Sequence, residues 1–282
     1  MNYSFKTKSK TLLLTGSSGF LGKEVIKILY KKYKFFEEVR KKNKNKIYCD
    51  LNNIKKIRLI LEKLKPDIIV NLAAEVNLSN KTKKMFNVNS ICPKIFARYC
   101  KKNNKYLVQA STVLVHKKSE IYNYNSKLDP ENYYGKTKLL AEKKIKETGC
   151  RYAIIRFVGI FGHNGPNHLG INNTIKDAIK KKIISFKGNS KIKRNYIYVG
   201  DAAKVIKKCI DNKLKGTFYA SGQIQTFEEM IKKINKIIGL NSPIKFFTKK
   251  KDDMDQICIS SRNFNFRSFS TCIKEIKNSY MF

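Results

Sequence analysis

A tyrosine and a lysine four positions apart are the residues of this chain best suited to proton transfer. Tyr134 and Lys138 lie in a run with helical periodicity, so their side chains share one helix face. A free phenol has a pKa near ~10, and a nearby ammonium group lowers that pKa toward the working range. Thr112, at the end of the preceding predicted strand, could hydrogen-bond the reacting oxygen. A structural tyrosine beside an exposed lysine would give the same spacing, so neighbouring motifs must decide between the two.

A glycine-rich turn near the N-terminus follows the first apolar strand and opens the first helix. Its spacing is G-x-x-G-x-x-G over residues 16–22. Such a turn lets the backbone approach a pyrophosphate, which then sits at the helix N-terminus. The strand–turn–helix context is the one that a dinucleotide-binding motif requires, although a turn without a ligand would read the same way. The predicted contacts to a dinucleotide come from Gly16, Ser17, Ser18, Gly19, Phe20, Leu21 and Gly22.

The end of the second strand bears on the choice of dinucleotide. An acidic residue about 20 positions beyond the glycine turn usually binds the adenine ribose. Here that neighbourhood is basic from Arg40 to Lys42, and Glu37 and Glu38 lie slightly early. Basic residues suit a 2′-phosphate, so the sequence slightly favours NADP(H) over NAD(H). In a chain so rich in lysine, these charges could also belong to an ordinary loop.

Short apolar runs alternate with amphipathic runs through the first half of the chain. The strand-like runs lie at 11–15, 67–72, 106–110 and 152–157, and the helical runs at 23–33, 54–64, 87–102 and 134–147. This alternation predicts an α/β fold: a Rossmann-type, doubly wound parallel sheet with helices on both faces.

The rhythm loosens after Gly162, where a loop with Gly165-Pro166 begins. We expect residues 1–162 to form an NAD(P)-binding Rossmann domain, completed by about 192–212. Residues 163–191 and 213–282 would then form a smaller, C-terminal substrate-binding portion.

The charge balance is strongly basic, at +39 from 60 Lys and Arg against 21 Asp and Glu. Such a charge would normally suggest a nucleic-acid or anionic membrane partner. Only eight of the cations are arginine, the residue preferred for bidentate recognition of bases and phosphates. Lys, Asn, Ile, Phe and Tyr are all encoded by A/T-rich codons, so genome composition explains much of the bias. A nucleic-acid partner is therefore not favoured.

Apolar runs, cysteines and histidines exclude further classes. No run approaches the ~18–20 apolar residues of a spanning helix, and residues 1–10 lack the apolar stretch of a secretory signal. The seven cysteines form no C-x-x-C pair, and the three histidines have no ligand spacing with them. We expect a cytoplasmic protein with reduced thiols, no metal and no membrane partner.

Further segments accompany these motifs in a fixed order. They are CDL at 49–51, NLAA at 71–74, NVN at 87–89, RFVGIFG at 156–162, RNYIYVGD at 194–201 and FYASG at 218–222. With the glycine turn, Thr112 and the Tyr134/Lys138 helix, they resemble the extended short-chain dehydrogenase/reductase family. The resemblance is to its nucleotide-sugar epimerase, dehydratase and reductase branch, and it spans about residues 11–238.

The resemblance implies roles for individual residues. Tyr134 would be the catalytic acid/base, Lys138 would hold the nicotinamide ribose and tune Tyr134, and Thr112 would take the Ser/Thr place beside the substrate. Arg194 would contact the diphosphate of a nucleotide-linked sugar. Besides the glycine turn, the cofactor would contact Arg40, Asp50, Leu51, Leu72, Ala73, Ala74, Tyr134, Lys138 and Val158. Family members commonly dimerise through the helices at 87–102 and 134–147, which implies a homodimer.

Several positions depart from the family pattern. Gly159 stands where many members carry an asparagine that touches the sugar, and Val113 where 4-keto-rhamnose reductases have an aspartate. His116 and Lys117 replace the usual Tyr-Gly. Acidic residues are sparse around Thr112, which disfavours dehydration. These differences leave the substrate open more than the cofactor.

Three functions fit these observations. The first is NAD(P)H-dependent reduction of a 4-keto nucleotide sugar, with Tyr134 as acid/base. The second is an NAD-dependent nucleotide-sugar 4-epimerase. The third is an inactive family member that binds RNA or a protein partner, which the high positive charge motivates but the complete Thr112, Tyr134 and Lys138 set opposes.

Overall fold

The computed structural model describes residues 10–39, 47–76, 81–240, 244–247 and 254–280. Its strands are β1 (Thr11–Thr15), β2 (Lys34–Val39), β3 (Ile47–Tyr48), β4 (Ile68–Asn71), β5 (Tyr106–Thr112), β6 (Ile121–Tyr122), β7 (Arg151–Phe157), β8 (Ile160–Phe161), β9 (Ser185–Lys187), β10 (Lys193–Arg194), β11 (Ile197–Tyr198), β12 (Gly216–Ala220), β13 (Gln225–Thr226), β14 (Lys245–Phe247) and β15 (Ile257–Cys258). Its α-helices are α1 (Phe20–Leu29), α2 (Ile54–Leu64), α3 (Lys83–Phe86), α4 (Cys92–Lys102), α5 (Tyr133–Glu147), α6 (Gly170–Lys181), α7 (Val199–Asp211), α8 (Phe227–Ile238) and α9 (Phe269–Asn278).

A seven-stranded sheet with the order β12-β7-β5-β4-β1-β2-β3 forms the centre of the molecule. Every neighbouring pair in it is parallel. The strand order runs outward from β1 in both directions, so a topological switch point lies between β1 and β4. Parallel sheets leave a crevice at the carboxyl ends of such strands, and ligands bind there. The predicted doubly wound α/β class is confirmed.

Two apolar layers sandwich the sheet, because successive strand residues point to opposite faces. Leu12 and Leu14 of β1 face the layer that contains α1 and α7. Leu13 faces the other layer, which contains α2, α4 and α5. Both layers are closed by fully buried helix side chains, such as Leu29 on one side and Phe96 on the other.

The sheet extends further along the chain than the sequence indicates. Residues 216–220, assigned above to the smaller portion, form the edge strand β12 and pair with β7 in register from Gly216↔Ala153 to Ala220↔Phe157. The helix expected at 87–102 is also interrupted. Residues Asn87–Ile91 form a π-helical turn before α4 begins at Cys92.

Helices α6, α8 and α9 build a third apolar cluster beside the sheet. Ile175, Ile234 and Ile273 are among its buried helix residues, and Phe161 of β8 packs into it from the sheet side. Helix α8 begins with a capping box in which Thr226 and Glu229 exchange hydrogen bonds. Among the described residues, no helix is long and apolar enough to cross a membrane.

All seven cysteines are buried as free thiols. Four lie in the layer of α2, α4 and α5, and the others lie in the α1/α7 layer, in the α6/α8/α9 cluster and beneath the segment that contains β6. The four are Cys49, Cys92, Cys100 and Cys150. Cys209 lies in the α1/α7 layer, Cys272 in the α6/α8/α9 cluster, and Cys258 beneath the segment that contains β6. Burial raises the pKa of each thiol above its ordinary value.

Candidate active site

The glycine turn fits closely between β1, α1 and the chain that leaves β4. Gly16 has φ +70°, and a Cβ there would lie 2.9 Å from the backbone nitrogen of Ala73. A Cβ at Gly22 would lie 2.2 Å from the Gly16 carbonyl oxygen. Gly19 precedes α1 without a side-chain cap, so the first N–H groups of this helix are open to an anion. The turn therefore has the geometry that a dinucleotide pyrophosphate requires.

A cavity of about 220 Å³ lies beside this turn. It brings together residues from the end of β2, the segment after β3 and the segment after β4, and it includes three of the predicted cofactor residues. The lining residues are Glu38, Asp50, Leu51, Ala73, Glu75, Lys84 and Val88. Leu72 and Ala74 flank Ala73 and are half-buried. The position and size of the cavity suit the adenosine end of a dinucleotide.

Glu38 belongs to this site, although in the sequence it lies slightly early for the acidic residue that usually binds the adenine ribose. Its carboxylate Oε2 accepts a hydrogen bond from the Gly16 N–H at 3.1 Å, and its carbonyl oxygen accepts one from Ser17 Oγ at 2.9 Å. The register Leu14↔Glu37 brings Glu38 level with the start of the glycine turn. Arg40, on which the NADP(H) preference rests, lies outside the described residues.

A ladder of buried polar side chains crosses the carboxyl ends of the central strands. Thr15 Oγ1 donates to Asn71 Oδ1 at 2.5 Å, and Asn71 Nδ2 donates to Gln109 Oε1 at 2.8 Å. Gln109 Nε2 then donates to the Ala110 carbonyl at 2.8 Å. The ladder ties β1, β4 and β5 together at the edge where the candidate catalytic residues lie.

Helix α5 places Tyr134 and Lys138 at this same edge. Asn132 caps the helix by accepting a hydrogen bond from the Gly135 N–H at 2.8 Å. Gly135 lets the first turn of α5 pack closely on the 3₁₀ turn Val113–Val115, since a Cβ there would lie 2.2 Å from the Leu114 carbonyl oxygen. That 3₁₀ turn directly follows Thr112, so the three predicted catalytic residues lie on packed elements.

Burial sets the protonation of the Tyr–Lys pair. The Lys138 ammonium is 3% exposed and donates to the Ala110 carbonyl at 2.5 Å. Burial lowers the pKa of Lys138 to about 8, against a smaller opposing effect of Glu142. Burial also raises the pKa of Tyr134 to about 12, which is the opposite direction from the sequence expectation for a phenol beside an ammonium. Tyr134 is therefore a protonated phenol in the ligand-free protein.

Thr112 accepts a hydrogen bond from the Leu114 N–H at 3.2 Å. This contact uses a lone pair of the hydroxyl, so the hydroxyl proton can point to a bound group. Val158, another predicted cofactor residue, is half-buried and packs against Tyr219 and Cys258.

A second cavity, of about 380 Å³, lies between α6, α8 and β10. Its walls combine aromatic and aliphatic side chains with the Arg194 guanidinium, and its lining residues are Gly170, Ile171, Thr174, Phe186, Gly188, Asn189, Ile192, Arg194, Tyr196, Phe227 and Ile231. Arg194 Nη1 donates to the Met254 carbonyl at 2.6 Å, and the guanidinium lies 5.9 Å from the centre of the Phe227 ring. The cavity can accommodate a flat aromatic group next to a negative charge.

Gly159 lies against the edge of this second cavity. A Cβ at Gly159 would lie 2.9 Å from the Tyr196 ring, so Tyr196 occupies the space of any side chain at this position. The departure from the family's asparagine therefore has a steric reason in this chain.

The doubly wound sheet, the glycine turn and a Tyr–Lys helix at the carboxyl edge together define a protein with the short-chain dehydrogenase/reductase fold. The family model described as "RmlD substrate binding domain" matches residues 10–233, and the chain belongs to this family.

Relatives and solved structures agree with this assignment. The chain is 27% identical over 235 residues to the GDP-L-fucose synthase of Dictyostelium discoideum, covering 73% of this chain and 71% of the relative. It is 30% identical over 216 residues to the GDP-6-deoxy-D-talose 4-dehydrogenase of Aggregatibacter actinomycetemcomitans, covering 71% and 69%. A dTDP-4-dehydrorhamnose reductase from Clostridium acetobutylicum superposes with a TM-score of 0.80 at 22% identity, covering 96% of this chain and 100% of that one. A UDP-N-acetylglucosamine 4-epimerase from Bacillus cereus superposes with a TM-score of 0.84 at 22% identity, covering 97% and 100%.

Proposed function

We propose that the protein is an NAD(P)H-dependent reductase of a 4-keto sugar linked to a nucleoside diphosphate. The observation that carries this proposal is the placement of Tyr134 and the buried Lys138 on α5, which packs against the 3₁₀ turn that follows Thr112 at the carboxyl edge of the sheet. A reductase needs a proton donor for the oxygen that its substrate carbonyl becomes. The Tyr134 phenol carries a proton at neutral pH, and it can give that proton up where the Lys138 ammonium stabilises the phenolate that forms.

The residues beside the glycine turn fit a nicotinamide dinucleotide. The N–H groups of the turn and of the start of α1 would hold the pyrophosphate, and Asp50, Leu51 and Ala73 would line the adenosine cavity. When bound, the nicotinamide ring supplies a hydride to the sugar carbon.

Residues of the protein donate the proton that the sugar oxygen receives and stabilise the charge that this transfer leaves. The Tyr134 hydroxyl gives its proton to the sugar oxygen, and the Thr112 hydroxyl donates a hydrogen bond to the same atom. The Lys138 ammonium then stabilises the phenolate that Tyr134 leaves. Because Lys138 already donates to the Ala110 carbonyl, its charge is held in place at the end of β5.

The second cavity is the candidate nucleotide site. Arg194 would pair with the diphosphate, while Phe186, Phe227 and Tyr196 would pack on the base. The names of both relatives above specify GDP-linked sugars, and the reductase from Clostridium acetobutylicum is named for a dTDP-linked one. A nucleotide-linked deoxysugar is therefore the substrate class that we propose.

Two groups act in opposite directions on the choice between NADH and NADPH. Arg40 follows β2 and would attract a 2′-phosphate, whereas the fixed carboxylate of Glu38 beside the turn would repel one. We expect both cofactors to be used. We compare kcat/KM measured with NADPH and with NADH. Glu38→Gln should shift this preference toward NADPH, and Arg40→Ala should shift it toward NADH, each by roughly tenfold. If both variants keep the wild-type ratio of kcat/KM with NADPH to kcat/KM with NADH, these residues do not select the cofactor.

A nucleotide-sugar 4-epimerase is the second candidate, since such an enzyme from Bacillus cereus has the same fold. An epimerase regenerates its own cofactor, so it is expected to retain NAD through purification. Quantitative release of NAD from denatured protein would favour this function. A cofactor-free preparation that consumes added NADH or NADPH would favour the reductase.

The decisive experiment is a spectrophotometric assay of NADH and NADPH oxidation with GDP-, dTDP- and UDP-linked 4-keto-6-deoxy sugars. We expect turnover with at least one of these sugars and a loss of about 10²–10⁴-fold in kcat for Tyr134→Phe. Tyr133→Phe, one position earlier in the same helical turn, is the matched control and should retain full activity. Unchanged turnover in Tyr134→Phe would exclude the proposed proton donor.

A further inference from the structure

A buried polar cluster next to the catalytic residues plays no part in the proton transfer described above. We call it the Arg156 node, and it consists of Glu142, Arg156, His116 and Tyr219. None of the four residues is more than 4% exposed. They come from α5, from β7, from the segment after β5 and from β12, so the node connects α5 to the end of the sheet formed by β5, β7 and β12.

One side of the node holds the catalytic elements. Arg156 donates to both carboxylate oxygens of Glu142, from Nε at 3.1 Å and from Nη2 at 2.6 Å. Glu142 lies one helical turn after Lys138, and its Oε1 accepts from Ser111 Oγ at 2.6 Å. Ser111 precedes Thr112, so this ion pair ties the helix of the Tyr–Lys pair to the strand that ends in Thr112.

The other side of the node holds the segment between Thr112 and α5. Arg156 Nη1 donates to the Tyr219 hydroxyl and to His116 Nε2. Tyr219 donates onward to the Asn123 carbonyl at 2.9 Å, and His116 Nδ1 donates to the Ser126 carbonyl at 3.0 Å. This assignment makes His116 a neutral imidazole with its proton on Nδ1, and it gives every member of the node a partner.

Residues 116–132 are therefore fastened at His116, at Asn123 and at Ser126. This segment begins four residues after Thr112 and ends at Asn132, the cap of the helix that carries Tyr134. A substrate oxygen that lies between Thr112 and Tyr134 must have this segment near it. His116 is also a position at which the chain departs from the family pattern.

We propose that the Arg156 node is a positioning device that sets the affinity for the sugar by fixing residues 116–132 beside the reacting carbon. The proposal rests on the proposed reductase function. The node acts through Tyr219 and His116 on the segment, and none of its members exchanges a proton with the substrate. Loss of one of its hydrogen bonds therefore raises KM for the sugar more than it lowers kcat.

The test is Tyr219→Phe in the full chain, which removes only the hydroxyl that contacts Asn123, Arg156 and His116. We expect KM for the nucleotide sugar to rise roughly tenfold, kcat to stay within about threefold, and Kd for the dinucleotide to stay unchanged. His116→Asn keeps a donor in reach of the Ser126 carbonyl and should retain lower KM values than His116→Leu, which has none.

Tyr106→Phe is the matched control. The Tyr106 hydroxyl is also buried between two carbonyl groups, those of Cys209 at 2.9 Å and Leu214 at 2.6 Å. Tyr106 begins β5, at the opposite edge of the sheet from Thr112. We expect this variant to lower Tm as much as Tyr219→Phe does, with unchanged KM. An unchanged KM in Tyr219→Phe as well would overturn the proposal and leave the node a purely structural role.

Hydrogen exchange separates this proposal from the reductase assignment. Tyr219→Phe should speed amide exchange in residues 116–132, and Tyr106→Phe should not. Exchange at the wild-type rate in Tyr219→Phe would contradict the fastening itself, whatever the substrate. Faster exchange together with no turnover of any 4-keto nucleotide sugar by the wild type would preserve the fastening and reject the proposed function on which the sugar-affinity role depends.

Discussion

Lys138 combines a stability penalty with a catalytic position. Its pKa falls from 10.5 to about 8 on burial, so the unfolded chain binds more protons than the folded protein between these values. The free energy of unfolding therefore rises with pH through this window, and at neutral pH the buried charge destabilises the fold. In the proposed mechanism, the same ammonium stabilises the Tyr134 phenolate.

Lys138→Met should accordingly be more stable and inactive. We expect the free energy of unfolding at pH 7 to increase by about 1–3 kcal/mol, since a buried charge that Glu142 and the Ala110 carbonyl compensate only in part is replaced by an apolar side chain of similar length. The increase should shrink between pH 8 and 10, and kcat should fall at least ~10²-fold. Denaturant unfolding at several pH values checks the first part. A variant less stable than the wild type would mean that Lys138 is fully compensated.

His116 makes stability depend on mildly acidic pH. Burial first, and Arg156 second, lower the pKa of His116 below 6.5. Besides Arg156 from β7, the imidazole faces Tyr219 from β12 and Tyr122 from β6, and Glu142 of α5 opposes the shift. Below pH 6.5 this histidine is protonated in the unfolded chain but stays neutral in the folded protein. The free energy of unfolding therefore decreases as the pH decreases.

We expect the free energy of unfolding to drop below pH 6.5 by at most ~1.4 kcal/mol per pH unit for this group. His116→Asn should lose this slope. His163 also has a lowered pKa, because of its burial and, second, because of Lys27. His163→Asn is therefore the comparison variant, and it should remove a different part of the decrease in the free energy of unfolding at acidic pH. An unaltered acid slope in His116→Asn would mean that His116 is charged in the fold.

The sequence predicts some site residues and misses others for one physical reason. Tyr134, Lys138 and the glycine turn form local spacings, and local spacing is visible in a single chain. Glu38 and the segment 218–222 that contains Tyr219 are visible in the sequence, but their places in the site are not, because these depend on the register between strands far apart in sequence. Once β2 is aligned with β1 at Leu14↔Glu37, Glu38 falls beside the turn. Composition and periodicity contain no information on that alignment.

At the level of elements, the approach of α5 to the turn after Thr112 depends on the absence of a side chain at Gly135. Alanine there would bring Cβ to 2.2 Å from the Leu114 carbonyl oxygen and 2.9 Å from the Pro130 side chain. The Leu114 carbonyl belongs to the backbone and cannot shift at small energetic cost, so the first turn of α5 must move.

Gly135→Ala should therefore lower kcat/KM by more than ~10-fold, because displacements of about 1 Å cost this much in a catalytic constellation. It should also reduce Tm, although alanine has the higher helix propensity. Lys136→Ala, one position later and exposed, is the control and should match the wild type in both measurements. Wild-type activity in Gly135→Ala would mean that the packing of α5 on the 3₁₀ turn is not needed for catalysis.

The π-helical turn at Asn87–Ile91 marks the limit of element prediction. Apolar spacing over residues 87–102 fits one continuous helix, but Pro93 lacks the N–H that would bond the Asn89 carbonyl, so a local helix breaker directly follows the wider turn. The turn presents Asn89 to the Glu75 backbone and to Thr137, and Ser90 to the Thr137 carbonyl. These contacts join three elements, so tertiary packing acts together with Pro93 in setting the π turn.

On the whole-molecule scale, the net charge of +39 bears on self-association. The helices that the family resemblance implies for a dimer, α4 and α5, have mostly basic exposed side chains: Arg98, Lys101, Lys102, Lys136, Lys143, Lys146 and Glu147. None of the exposed large apolar residues of the described chain lies on either helix. A two-fold interface would place these like charges against one another.

We expect a homodimer through this face to depend on screening. Sedimentation at about 50 mM salt should give mainly monomer, and the dimer fraction should rise toward about 500 mM as the Debye length shortens. Lys143→Glu with Lys146→Glu should increase dimerisation at low salt. A dimer that forms equally well at every salt concentration and in the double variant would have to use another surface.

The buried thiols are distributed so that their labelling can report local opening of each part of the fold. Every layer of the molecule holds at least one cysteine, and each thiol is inaccessible and poorly ionised in the closed fold. A thiol-specific reagent can therefore react only when the surrounding layer opens. Mass-resolved labelling rates of Cys49, Cys209, Cys272 and Cys258 would rank the layers by opening free energy without any engineered label.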